Sequence, residues 1–125
     1  MIKDKLKTIT DDEAREVALL LLKERYTTHT YEFDKISRQA YDVQHGCDAE
    51  ESVDIFFNAK VIDEAHEQGG WKNKRVWIKL VESDRYHDFP YFAAFEKDEG
   101  KDSYSFSFLS NHIEATEYLQ KKGYL

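Results

Sequence analysis

Val53-Asp54-Ile55-Phe56-Phe57-Asn58-Ala59-Lys60-Val61-Ile62 is the stretch on which the fold turns. Val53, Ile55, Phe57, Ala59 and Val61 share one parity, against Asp54, Phe56, Asn58, Lys60 and Ile62. A period of two marks a strand with one face buried and the other partly so. A helix is the rival, because Asp48 and Glu51 have cap spacing and Gly69 would end it. The crowding of Val, Ile and Phe favours the strand.

Upstream, Tyr31 and Phe33 alternate with Glu32 and Asp34, and Tyr41 and Val43 with Asp42 and Gln44, a second strand pattern. Before it lies a helix. Thr10 and Glu13 have the capping-box spacing, and Asp11 and Asp12 favour the positive end of the dipole. Ala14, Val17, Ala18, Leu21 and Leu22 make its apolar face, which Leu19 and Leu20 widen, so cover on more than one side is expected. The helix should end near Tyr26.

Downstream, residues 75–81 read as a third strand. Residues 90–95 and 104–109 read as a hairpin around a turn at 97–101 that contains Gly100. Tyr104, Phe106 and Phe108 alternate with serines, which predicts one aromatic face and one wet face. If that last strand lies at an edge, it is open to pairing with a partner or a second copy. A final helix starts near Asn111, which has cap spacing to Glu114. Ile113, Ala115, Tyr118 and Leu119 mark its packed side, and Gly123 suits its end. The expectation is an α+β fold: N-terminal helix, antiparallel meander of about five strands, and C-terminal helix packed on one face.

The chain has 125 residues, which suits one domain. No apolar run approaches the roughly 18 residues of a membrane helix. The N-terminus is basic but no apolar region follows it, and Cys47 is the only cysteine. Both features fit a reducing, cytoplasmic setting.

Net charge is −7, from 25 acids and 18 bases, and its location matters more than its size. Residues 42–67 carry eight acids and one base, Lys60, so this segment alone holds the imbalance. An acidic surface repels phosphate backbones, which disfavours nucleic acid and favours a basic protein partner. Glu50, Glu51, Asp54, Asp63 and Glu64 are the candidate contacts, with Trp71 and Tyr86 as aromatic anchors in loops. Solvated acids serving solubility are the plainer alternative.

No GxGxxG, Walker, HExxH, CxxC or GxSxG pattern occurs. In a five-strand meander alternate loops fall at one end of the sheet. That would gather His45 and Cys47, His87, and His112 at one edge. Imidazole, thiolate and carboxylate are the ligand types of zinc. Cys47 and His87 could instead pair as nucleophile and base. His29 and His66 fall at the opposite end and receive no role.

Three functions follow. The first is a small acidic non-enzymatic binding protein that covers a basic partner, as immunity proteins and phage inhibitors do. The second is a ligand-binding domain with a pocket between helix and sheet. The third is a metal-dependent hydrolase using the loop histidines.

Overall fold

A computed structural model of the chain describes residues 6, 8–45, 48–81, 90–98, 100 and 112–125. Helix α1 (Asp11–Arg25) is followed by strands β1 (His29–His45) and β2 (Asp48–Asp63), a kinked 3-10 segment (Glu64–Gly69), strands β3 (Lys72–Val81) and β4 (Tyr91–Asp98), and helix α2 (Ile113–Lys121). The four strands form one antiparallel meander in the order β1-β2-β3-β4. The expected fifth strand, residues 104–109, lies outside the described residues, as does Asn111.

The decisive stretch is strand. Val53, Ile55, Phe57, Ala59 and Val61 are all buried, and Asn58 and Lys60 are exposed. They meet Val76, Ile78 and Leu80 of β3, which in turn meet Phe92 and Ala94 of β4, on the inner face. The helix alternative fails here. Gly69 closes only the short 3-10 segment, not a helix begun at Asp48.

A bulge in β1 changes what its alternation means. Phe33 pairs with Ala59, but Ile36 pairs with Phe57, so one extra residue intervenes. Tyr31, Phe33 and Ile36 therefore share the inner face, while positions 41 and 43 fall on the other parity. The β3–β4 pairing also runs further than expected. Lys97 and Asp98 pair with Arg75 and Lys74 as strand, which leaves Gly100 (φ 87°) in the turn.

Helix α1 is fixed at its start by both halves of the capping box. The Glu13 amide donates to the Thr10 hydroxyl at 3.2 Å, and the Thr10 amide donates to Glu13 Oε1 at 3.1 Å. Ala14, Val17, Ala18, Leu21 and Leu22 are buried against the sheet. Leu19 is 39% exposed, so the wider apolar face is not covered all round, contrary to expectation.

Helix α2 is capped by His112, one residue later than expected. Imidazole serves because its two nitrogens divide the work. Nε2–H donates to Glu24 Oε2 at 2.6 Å, and Nδ1 accepts the Ala115 amide at 3.1 Å. Tyr124, beyond the far end of α2, donates its hydroxyl to Glu13 at 2.5 Å. The helices therefore run antiparallel, tied at both ends. The Tyr124 hydroxyl, then the Thr10 amide, hold the Glu13 carboxyl below its ordinary range. Ala115 and Leu119 face the core, whereas Ile113 is 70% exposed and is not on the packed side.

Candidate functional site

Among the described residues the β1–β2 pair runs further than the rest of the sheet. Pairing to β3 is described as far as Val53 and Leu80, while β1 and β2 continue to His45 and Asp48. Five further positions of β2 thus form a two-stranded arm, about 17 Å long at the usual rise. Residues 41–52 carry four acids and no lysine or arginine. In the register, Asp42 lies opposite Glu51 and Val43 opposite Glu50.

The expected acidic contacts do not come together. Positions 50 and 51 are on the arm, on opposite parities. Asp54 is buried at the arm's base, opposite Lys79. Asp63 and Glu64 lie at the other end of β2, some 40 Å along the strand from position 50. There they are engaged within the fold. Thr28 donates its hydroxyl to Asp63 at 2.6 Å, and Thr30 donates to Glu64 at 2.7 Å. The Thr28 hydroxyl is the largest influence on Asp63 and holds its carboxyl below the ordinary range. Trp71 is 47% exposed, directly before β3. Tyr86 lies outside the described residues.

Of the expected metal or catalytic set, Cys47 and His87 also lie outside them. His45 pairs with Asp48 at the tip of the arm. Both ring nitrogens of His112 are engaged, with Glu24 and Ala115, so neither is open to a metal. Among the described residues no group of three or more His, Cys, Asp or Glu is placed to hold a metal ion.

The densest polar chemistry is elsewhere, on the inner face at the opposite end from the arm. The Glu96 side chain is 3% exposed. Its Oε2 accepts from His29 Nδ1–H at 2.7 Å and from the Tyr31 hydroxyl, and its Oε1 accepts from Lys74 Nζ at 3.1 Å. Its amide donates to the Tyr26 hydroxyl at 3.1 Å, which fastens the end of α1 to β4. Lys74 also reaches Asp98 at 3.4 Å, and His29 Nε2 stands 3.6 Å from Asp63. Tyr26 stacks on His29 at 5.2 Å, and Tyr31 stacks on Phe33 at 5.7 Å, so an aromatic row leads from the cluster into the core.

His29 is on β1 and Glu96 is on β4, which are three strand spacings apart in the sheet order. A flat sheet would hold those backbones about 14 Å apart. A 2.7 Å side-chain contact requires a curled sheet, with the cluster bridging its concavity. Burial, then the hydrogen bond to Glu96 and its charge, push the Tyr31 phenol far above its ordinary value. Burial pulls Lys74 down, but the contacts with Glu96 and Asp98 more than offset it, leaving the ammonium raised.

Beside the cluster, between α1 and β1, opens a cleft of about 440 Å³. Leu19, Leu20 and Lys23 line one side, and His29, Thr30 and Tyr31 the other. A pocket between helix and sheet was among the sequence expectations; the cluster beside it was missed, although a signal exists. Lys74 shares parity with Val76, Ile78 and Leu80, and Glu96 with Phe92 and Ala94. A charge on the buried parity of two strands needs a partner.

Compared with protein families, curated proteins and solved structures, the chain matches none. No helix among the described residues is long and apolar enough to cross a membrane.

Proposed function

We propose that this chain is a small, acidic, non-enzymatic binding protein that acts by covering a basic protein partner, and that the β1–β2 arm is its leading edge. One observation carries this: among the described residues, a ladder that extends five positions past the pairing to β3, in a segment whose fixed charges are all negative. Such an arm reaches into a groove that a flat acidic surface cannot enter, and its field speeds encounter with a basic site. The contact set is narrower than the sequence suggests. Glu50 and Glu51, with Asp42 and Asp48, remain; Asp54 is buried, and Asp63 and Glu64 are bonded within the fold. A cytoplasmic setting accords with the single cysteine.

Native mass spectrometry of the protein from its own cells at low salt tests this, with wild type beside the E50K/E51K variant. The expected result is a stoichiometric complex with a basic protein, lost in the variant and weakened by salt in the wild type. An undiminished complex in the variant would overturn it.

A second possibility rests on the cleft between α1 and β1. Its volume falls within the roughly 300–1,000 Å³ of small-molecule sites, and His29, Thr30 and Tyr31 give its apolar wall a polar border. Leu20→Trp would fill it without touching the arm. Loss of function in L20W with E50K/E51K unaffected would favour a ligand-binding role.

A further inference from the structure

We infer that the outer face of the sheet carries a second site, independent of the arm, which binds a short extended peptide by its two charged ends. It is a cleft of about 560 Å³ whose Glu32, Asn58, Lys60, Asn73, Arg75 and Lys97 share the outer parity, with Lys74 of the Glu96 cluster also in its lining. Three features of its lining define the ligand.

One wall is acidic. Glu32 and Asp34 of β1 are both exposed there, and the bulge between Phe33 and Ile36 displaces the strand at that point. The facing wall is basic, formed by Arg75 of β3 with Lys97 of β4 directly across from it. Between them lie the amides of Asn58 and Asn73. Lys60 is opposite Glu32 in the register, yet the two form no ion pair, so each keeps its charge for a ligand.

Arg75 is the anchor. It is half-buried, and its Nη1 donates to Asn58 Oδ1 at 3.1 Å while its guanidinium lies 5.4 Å from the Phe56 ring centre. Two neighbours therefore fix its plane. Among the described residues it has no carboxylate partner. A guanidinium held in place without a counterion is set to take a carboxylate in a paired, planar contact.

The spacing selects the rest of the ligand. β1 and β3 are two strand spacings apart, about 10 Å at the backbone, and three extended residues span about the same distance. A tripeptide can therefore place its carboxylate on Arg75 and its ammonium against Glu32 and Asp34. The asparagine amides, each both donor and acceptor, suit the peptide groups between. Opposed walls also work against a polyanion, since a phosphate backbone meeting Arg75 would meet Glu32 and Asp34 too.

The test is an amide-resolved NMR titration of the full chain with trialanine, N-acetyl-trialanine and trialanine amide. Trialanine is expected to shift the amides of Asn58, Asn73 and Arg75. Blocking either end is expected to weaken binding by about tenfold or more, a free-energy change of about 1.4 kcal/mol. The R75Q variant should lose the response to trialanine. The proposal is overturned if trialanine gives no shifts at about 10 mM, tenfold above a weak Kd of about 1 mM. It is equally overturned if the blocked peptides bind as well as the free one. That ligand series runs on wild type, so it decides the matter even if R75Q does not fold. E50K/E51K should bind trialanine normally, which keeps this site separate from the arm.

Discussion

The two ends of the β1–β2 pair treat charge in opposite ways. At the arm, Asp42 lies opposite Glu51 in a ladder whose residues 41–52 include no lysine or arginine. At the other end, Glu96 is buried and accepts from His29, Tyr31 and Lys74. At the second end the carboxylate is tolerated because of its three donors, since an unpaired buried charge costs several kcal/mol. The contrast assigns tasks. The interlocked end holds the curl of the sheet and the seat of α1, and the arm is the part proposed to meet a partner.

Removing Glu96 is the strongest way to break the contrast. Glu96→Leu leaves Lys74 with Asp98 alone and His29 with the more distant Asp63, both beside an apolar group, and should cost about 3 kcal/mol in urea unfolding. The double variant K74M/E96L removes the pair together and should recover much of that loss, since a buried pair replaced by apolar groups is often neutral. A loss under about 1 kcal/mol for E96L would mean that water reaches the cluster and that the two ends differ little.

Tyr31 offers a smaller and pH-dependent test. Tyr31→Phe deletes a hydrogen bond to a buried carboxylate, worth about 1.5–3 kcal/mol near neutral pH. The alkaline side has a definite sign. Tyr31 and Lys74 both give up their protons at higher pH in the folded chain than in the unfolded one. Their contribution is therefore complete below about pH 10, where the unfolded groups still hold their protons, and is lost as pH rises further. Y31F removes one such proton, so its stability should fall less steeply above about pH 10, by up to about 1.4 kcal/mol per pH unit. Parallel slopes for wild type and Y31F would place Tyr31 in contact with solvent.

Much of the fold was legible because parity and caps act locally. Val53 to Val61 alternate over five buried positions, and Thr10 with Glu13 announces α1 three residues apart. What was hidden depends on register or on distant contact. The bulge at Phe33–Ile36 moves positions 41 and 43 to the other face, and no residue type in the stretch demands it. His29 and Glu96 are 67 residues apart and meet only because the sheet curls. His112 resembled a loop histidine until Glu24 and Ala115 took its two nitrogens. The acids of residues 42–67 are close in sequence, which leaves open whether they form one patch; a strand spreads neighbours along its length and across two faces.

The smallest effect is the most informative about the arm. E50K/E51K should change unfolding free energy by no more than about 0.5 kcal/mol, as surface substitutions do. Its sign should be slightly favourable, because a lysine at position 51 replaces a like-charge cross-strand pair with Asp42 by an opposite-charge one. Urea unfolding measures this directly. An arm selected for its own stability would not keep two acids at opposite register positions when one reversal relieves them. A gain in stability together with loss of the complex would mean that the repulsion is retained for the partner. A loss of more than about 1 kcal/mol would mean instead that the arm packs on the body of the protein, and the contrast between the two ends would fail.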